Sequence, residues 1–325
     1  VKITKWFDPE EWKNWLQAPV SRRGFLRGLA VAAGSLLVSG KAGTRAWAKA
    51  GVTLAPRKRR TVAADCPLAV VESDNPAAAA RKAVEALGGI SRFVKSGDVV
   101  VVKPNIGWDR RPEQAGNTNP EVVAALVALC REAGAKTVKV FDYTCNDARR
   151  TYVTSGIQDA VRKAGGQVSF VSDWKFYSGR FPAGSAMADW PIYRDAVECD
   201  CFINVPVAKH HGLTGLTLSI KNLMGVCGGG RGKMHWGIDQ KLVEVAAFIQ
   251  PDLTVIDAYR ILLRHGPTGG NLEDVALKKI VLASTDPVLA DAYAATLFGR
   301  KPEDIGYIKL AAEKGLGSMN LKQSG

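Results

Sequence analysis

Residues 199–239 read CDCFINVPVAKHHGLTGLTLSIKNLMGVCGGGRGKMHWGID, and this stretch decides both the fold and the place where function concentrates. Cys201-Phe-Ile-Asn-Val205 is a brief apolar run bounded by polar residues and proline, which predicts a strand buried at a sheet centre. Pro206 ends it, and the sequence predicts Lys209, His210 and His211 in the loop that follows. Leu216–Leu223 carries Lys221 and Asn222 in an otherwise apolar run. An ammonium there is costly unless it is paired or bound to something; the plainer alternative is a lysine snorkelling from a strand edge. Gly228, Gly229 and Gly230 precede Arg231 and Lys233. That puts backbone N–H groups beside positive charge, an arrangement suited to an anion and shared with many mobile loops.

Outward from this stretch, the chain alternates strand and helix. Leu68–Glu72 predicts a first strand and 76–87 an alanine-rich helix. Asp98-Val-Val-Val-Val-Lys103 is strongly β-branched, as in strands buried on both faces. Asn119-Pro120-Glu121 is a helix start, with an amide N-cap, proline at the first position and an acid near the positive end of the dipole. Further strands are expected at 137–141, 167–171, 253–256 and 279–283. Helices are expected at 156–164, 242–249, 286–298 and 302–314. Residues 174–197 hold six aromatics with little periodicity and predict an inserted smaller lobe. The order gives an α/β fold, a mainly parallel sheet with helices on both faces. Ligands of such sheets bind outside the carboxyl ends of the strands. The unusual polar residues fall there: Lys103 and Asn105, Asp142 and Thr144, Asn204 with Lys209 and His211, Asp257, and Asp286.

Two site chemistries follow. Lys103, Lys209, Lys221, Arg231 and Lys233 supply charge, Asn105, Asn204 and Asn222 supply amides, and Gly228 and Gly229 supply backbone donors for an anion. His211, His235 and Cys227, with Asp257 near, carry donors for an open metal site, although no closed-site spacing such as HxxxH or CxxC is present. His211, Lys209 and Lys221 are the candidate acid–base groups. Neither GxxxxGK[ST] nor GxGxxG occurs, so ordinary nucleotide-hydrolysing and dinucleotide sites are unsupported. The six cysteines form no C-x2-C cluster, which argues against a self-contained ferredoxin-type cluster or zinc ribbon.

The pattern Asn204-Val205-Pro206, Lys209-x-His211, then Ile220-Lys-Asn-Leu-x-Gly225 resembles the bacterial and archaeal family called domain of unknown function 362. Thr254-Val-Ile-Asp257-Ala, Gly266-Pro267, Asp286-Pro287 and Gly315-Leu-Gly317 resemble further family pieces. The resemblance covers roughly residues 99–317. It implies a redox or metal context, because some members are fused to iron–sulfur modules; the family's chemistry is unassigned. The lysine-rich strand edge is also loosely similar in plan to the nickel-pincer lactate racemase family.

Ser21-Arg-Arg-Gly-Phe-Leu-Arg27 resembles the twin-arginine export motif. An apolar run at 28–40 and the small-x-small triplet Ala46-Trp-Ala48 follow it. Residues 1–48 are therefore expected to be a signal peptide, 49–66 a basic linker and 67–325 the α/β domain. The apolar run is shorter than the roughly 20 residues a spanning helix needs. The chain's formal net charge is +13, and removing the leader's eight basic and three acidic residues leaves +8. That excess suits an anionic ligand, an acidic protein or a lipid surface, and no nucleic-acid motif is present.

Two classes of function remain at this point. One is an exported metal- or cofactor-binding protein of the periplasm or the outer face of the cytoplasmic membrane, with an electron-transfer partner and an iron–sulfur-related or other metallocofactor. The other is a non-redox enzyme acting on a small organic acid, with non-catalytic binding of a small anionic ligand as its weaker neighbour. Export by the twin-arginine translocase is expected to depend on Arg22 and Arg23. Changing both to lysine should leave the precursor inside the cell, whereas the natural protein should yield a product beginning near Lys49. Cell fractionation with N-terminal sequencing decides this, and unchanged export of the double variant would refute the assignment.

Overall fold

A computed structural model of the chain describes residues 53–321; residues 1–48, expected to be a signal peptide, lie outside the described residues. Eleven strands are described: β1 (Leu68–Glu72), β2 (Val99–Pro104), β3 (Thr137–Val140), β4 (Gln167–Val168), β5 (Phe176–Ser178), β6 (Pro191–Tyr193), β7 (Cys201–Val205), β8 (Val207–His211), β9 (Gly215–Thr217), β10 (Leu253–Leu262) and β11 (Val275–Ser284). The α-helices are α1 (Pro76–Ala86), α2 (Pro120–Glu132), α3 (Ala148–Thr154), α4 (Ile157–Lys163), α5 (Arg194–Glu198), α6 (Ser219–Asn222), α7 (Ile238–Ile249), α8 (Pro287–Thr296) and α9 (Gly306–Glu313).

The main sheet runs β1-β11-β10-β7-β2-β3-β4. β10, β7, β2, β3 and β4 pair in parallel, and β11 is antiparallel to both its neighbours. This is the mainly parallel α/β sheet that the strand–helix alternation implied. Strand residues alternate between faces. Val100, Val102, Cys201 and Ile203 pack with α1 and α2 in one core cluster. Their neighbours Val101, Lys103, Phe202 and Asn204 therefore face the other side, where α6 packs near β7 and α8 against β10 and β11. Three helices open on the same chemistry, an Asn or Asp N-cap followed by proline. Asn75 accepts from the Ala78 amide (2.8 Å), Asn119 from Glu121 (2.9 Å) and Asp286 from Val288 (2.8 Å). Asp286, grouped by sequence with the ligand-facing residues, is thus a helix cap.

The centre of the chain departs from the expected layout in two places. Lys209, His210 and His211 lie on a strand, not in a loop. After Pro206 the chain steps out of β7 and continues as β8, which pairs in parallel with the far half of β10 and antiparallel with β9. The run Leu216–Leu223 is likewise divided, its start completing β9 and its end forming α6. β10 and β11 also extend well past the apolar segments 253–256 and 279–283. Charged Asp257, Arg260, Lys278 and Lys279 interrupt the hydrophobic pattern without interrupting the ladder, which carries one bulge between Ala258 and Arg260.

Residues 174–197, expected to be an inserted lobe, contain a two-stranded antiparallel sheet, β5 with β6, whose Tyr193 ring sits 4.8 Å from Phe141 and 5.1 Å from Phe176. Within 49–66, the segment expected to be a basic linker, residues 54–60 are docked onto the domain. Leu54 is buried and its amide donates to the Ser178 carbonyl at 2.9 Å. Arg57 is buried too, paired with Asp252 and donating to the Gln250 carbonyl at 2.8 Å. Asp252 in turn accepts from the amides of Arg60 (2.8 Å) and Phe202 (2.7 Å). Removing one partner of a buried pair strands the other charge, at about 3–5 kcal/mol. Arg57→Ala is therefore expected to lose about that much in urea unfolding; a loss near zero would show that the segment merely rests on the surface.

Candidate functional site

The cation-bearing face of the sheet is organised by Lys103. It is the last apolar-run residue of β2 before Pro104 and lies directly beside Asn204 of β7 in register. Lys103 is fully buried, its Nζ 2.7 Å from Asp142 Oδ1 and 2.8 Å from the Pro104 carbonyl. Burial lowers its pKa, and the Asp142 carboxylate opposes that fall. Asp142, just past β3, also accepts from the Ile106 amide at 2.7 Å. Gly225 roofs the pair. A Cβ there would meet Asp142 Oδ1 at 1.8 Å and Lys103 Nζ at 2.8 Å, so only glycine allows the backbone so near.

Asn222 ties this pair to the strands around it. Its amide nitrogen donates to the Lys103 carbonyl (3.2 Å) and to Asn204 Oδ1 (2.8 Å). Its oxygen accepts from Lys103 Nζ (3.2 Å) and Asn105 Nδ2 (3.1 Å). Asn204 passes the chain on to the Ser219 carbonyl at 2.8 Å. The other end of α6 is held by Asp291 of α8, which accepts from the amides of Ser219 (2.7 Å) and Ile220 (3.1 Å). Burial raises the Asp291 pKa to about 7 while those donors pull it down. A four-residue helix is thus fixed at both ends, and Lys221 is carried between them.

A cavity of about 370 Å³ opens above this layer. Asn105, Lys209, His211, Lys221, Asn222 and His235 line it, so six of the residues singled out in the sequence share one space. Strand alternation explains the choice between adjacent histidines. Lys209 and His211 lie on one side of β8, while His210 turns to the other and accepts from the Gly266 amide at 3.2 Å. Lys103 and Asn204 are buried beneath the cavity and act through Asn222.

Other candidates are placed elsewhere. Asp257 is buried, accepting from the amides of Asn119 (2.7 Å) and Tyr259 (3.0 Å), with burial lifting its pKa to about 6. Gly228 packs against the Phe176 ring and Gly229 near Pro191, and neither lines the cavity. Lys233 is exposed and off its walls. Cys227 is fully buried, pairs with Ile192 in an isolated bridge, and has its thiol pushed up to about 12 by burial. The proposed metal donors His211, His235 and Cys227 therefore do not converge. Among the described residues no three His, Cys, Asp or Glu side chains are grouped to hold a metal ion. The walls also include Trp108, Asp142, Tyr143, Cys145, Met224, Gly225, Arg231 and Pro267. Gly225 and Pro267 had signals in the family-like pattern, Asp142 in its place after a strand and Arg231 in its charge. Cys145 and Trp108 had none that marked them.

The family's sequence pattern, described as a domain of unknown function (DUF362), matches residues 100–296. The chain belongs to this family. It is 30% identical over 256 residues to a thylakoid-associated protein of Synechocystis sp., covering 76% of each chain. Among solved structures, the lactate racemase apoprotein of Thermoanaerobacterium thermosaccharolyticum matches with a TM-score of 0.43 and 11% identity, over 76% of this chain and 57% of the other. A Thermotoga maritima protein matches with a TM-score of 0.36 and 13% identity, over 75% and 60%. The chain thus spans less than two thirds of either solved structure. Among the described residues no helix is long and apolar enough to cross a membrane.

In this DUF362 chain the cavity is electrostatically unbalanced. Asp142 is the one carboxylate among the described lining residues, and it is engaged by Lys103. Lys209 Nζ donates to Asn105 Oδ1 (3.1 Å) and the Gly116 carbonyl (2.7 Å). Arg231 lies 3.9 Å over the Tyr143 ring and donates to the carbonyls of Tyr143 (2.6 Å) and Thr144 (2.7 Å). Among the described residues, Lys221 Nζ has only the Met224 thioether as a hydrogen-bond partner, at 3.2 Å. Burial above all brings Lys209 down to about 7 and Lys221 to about 8; neighbouring cations add to the fall and Asp142 opposes it. His211 falls to about 3 through burial and the two lysines.

Both histidine tautomers are fixed by hydrogen bonds. His211 Nδ1 accepts from the amides of Leu213 and Thr214, each at 3.2 Å, so its proton sits on Nε2. A metal ligand through Nε2 would need the proton on Nδ1, where two N–H groups already point. His235 has the opposite arrangement, with Nδ1 3.1 Å from the Gly232 carbonyl, leaving Nε2 with its lone pair. The two rings are nearly parallel, at 14°, with centroids 6.5 Å apart.

The pH dependence follows in sign. Lys209 and Lys221 have folded values below the ordinary lysine value of 10.5, so between about 7 and 10.5 the unfolded chain binds more protons. Stability of the ligand-free protein should rise with pH across that window, and the penalty is full below it. Each lysine adds at most roughly 1.4 kcal/mol per pH unit. Urea midpoints of the natural protein and Lys209→Met at pH 6.5, 8 and 9 check this. The variant should show the smaller rise; equal slopes would mean that Lys209 is not desolvated as described.

Proposed function

We propose that the cavity binds a small organic anion, a substrate carboxylate or a cofactor phosphate, and performs acid–base chemistry on what it holds. One observation carries this reading: the Lys221 ammonium, buried in the cavity wall, has a thioether as its only hydrogen-bond partner among the described residues. A charge taken out of water costs several kcal/mol unless it is compensated, and thioether sulfur is a weak acceptor. A bound anion supplies the missing compensation. Lys221 and Arg231 hold its charge, and Lys209, already engaged by Asn105 and Gly116, orients it. The neutral His211 donates from Nε2 to an oxygen of the ligand, while His235 Nε2 accepts a proton from the opposite side. Donor and acceptor across one cavity suit proton transfer at a carbon or oxygen beside the anionic group.

The iron–sulfur and metal reading draws less support from these residues. Four of the six thiols, Cys130, Cys199, Cys201 and Cys227, are buried in the protein interior, and only Cys145 lines the cavity. The site is proposed to work outside the cytoplasm. Arg22 and Arg23 in the leader favour that placement, and the thylakoid-associated relative is compatible with a compartment bounded by membrane.

Lys221→Met is the decisive variant, because the thioether fills similar volume without charge. It should unfold at least as hard as the natural protein. Its thermal shift with inorganic phosphate or with small mono- and dicarboxylates should vanish, with affinity lower by tenfold or more. Lys233→Met, off the cavity, should bind as the natural protein does. Normal anion binding by Lys221→Met, or failure of that variant to fold, would make Lys221 a structural residue and overturn the reading.

A further inference from the structure

Among the described cysteines, Cys145 is set apart by its surroundings. Cys130, Cys199, Cys201 and Cys227 are buried, and burial pushes each thiol upward, to about 12 for Cys130 and about 11 for Cys199. Cys66 is half-buried outside the cavity, its Sγ 3.4 Å from the Ala86 carbonyl. Cys145 is exposed and lines the cavity that holds Lys209, Lys221 and Arg231. The peptide unit preceding it is held at both of its polar groups: the Cys145 amide donates to the Gly107 carbonyl at 2.9 Å, and the Thr144 carbonyl accepts from Arg231 at 2.7 Å. The nearby carboxylates are otherwise engaged, Asp142 with Lys103, Asp109 with Arg150 (2.6 Å), and Asp147 as the N-cap of α3.

We propose that Cys145 is the reactive thiol of this cavity, a covalent attachment site for small anionic electrophiles drawn in by Lys221 and Arg231. The proposal rests on the anion-binding reading above and adds a nucleophile to it. Lys221, 8% exposed with one thioether partner, is the independent sign that an anion belongs beside this thiol. In the reaction the sulfur attacks the electrophilic carbon, and one S–C bond forms. The leaving group departs with the electrons of the bond that breaks. The thiol proton passes to water. A positively lined cleft raises the local concentration of an anionic reagent and does nothing for a neutral one.

Two alkylating reagents of the same size separate charge from access: iodoacetate, an anion, and iodoacetamide, its neutral counterpart. Each transfers a two-carbon group to sulfur and releases iodide. Rates at each cysteine are read by peptide mass mapping of the full chain, with Cys66 as the reference in the same molecule. The iodoacetate-to-iodoacetamide ratio at Cys145 should exceed that at Cys66 by tenfold or more, saturate with iodoacetate, and fall to the Cys66 value in Lys221→Met. An equal ratio at the two cysteines, or a preference that persists in Lys221→Met, overturns the proposal. Thermal shifts of Cys145→Ser with phosphate and carboxylates distinguish the two levels. If those shifts persist without a Cys145 preference, only the covalent site is refuted; if both are absent, the anion-binding reading falls with it.

Discussion

The buried Lys103–Asp142 pair is the constraint on which the site depends. Lys103 stands where β2 leaves the sheet, and taking its ammonium out of water would be prohibitive without the carboxylate at 2.7 Å and the Pro104 carbonyl at 2.8 Å. The pair joins the ends of β2 and β3, and Gly225 closes over it because no side chain fits there. Asn222 then uses all of its amide on Lys103, Asn105 and Asn204, so the position of α6 follows from the ion pair. Buried polar networks of this kind act as a unit when every member is satisfied.

With that layer fixed, the cations above it have little freedom to find partners of their own. Lys209 is held by neutral acceptors, Arg231 by two carbonyls and a ring face, and Lys221 by a sulfur. Each contact orients a positive group without neutralising it. The consequence is a cavity with three unneutralised cationic side chains and a carboxylate already committed beneath them. An anion completes it, and the two histidine tautomers give that anion a donor on one side and an acceptor on the other.

Much of this was legible in local residues. The β-branched run at 98–103, the apolar run at 201–205 and the Asx-Pro helix starts each carry their structure in nearest-neighbour chemistry. Lys221 and Asn222 stood out because charge and amide in an apolar run must answer to something. The misplacements share one cause. Asp286 and Thr144 follow strands as ligand residues do, and Asp257 lies inside the longer β10, yet their oxygens serve backbone groups: Asp257 accepts from the Asn119 and Tyr259 amides, Asp286 caps α8, and Thr144 Oγ1 donates to the Asn146 carbonyl at 2.7 Å. Gly228 and Gly229 make the same point, since a glycine run marks close approach without saying what approaches.

The sequence by itself determined the strand–helix alternation, the carboxyl-edge location of the polar residues and the excess of positive charge, because these depend on residues adjacent along the chain. Tertiary structure alone decided which of those residues meet. Whether His210 or His211 faces the cavity depends on β8 being a strand, and that depends on β10 extending to Leu262 to pair with it. Asp142 is committed to Lys103 rather than to Lys209 or Lys221 because β2 and β3 are neighbours in the sheet. Cys145 enters the cavity only because the loop after β3 folds back onto Gly107. Partners far apart in sequence set the charge balance of this site, and no local pattern encodes that balance.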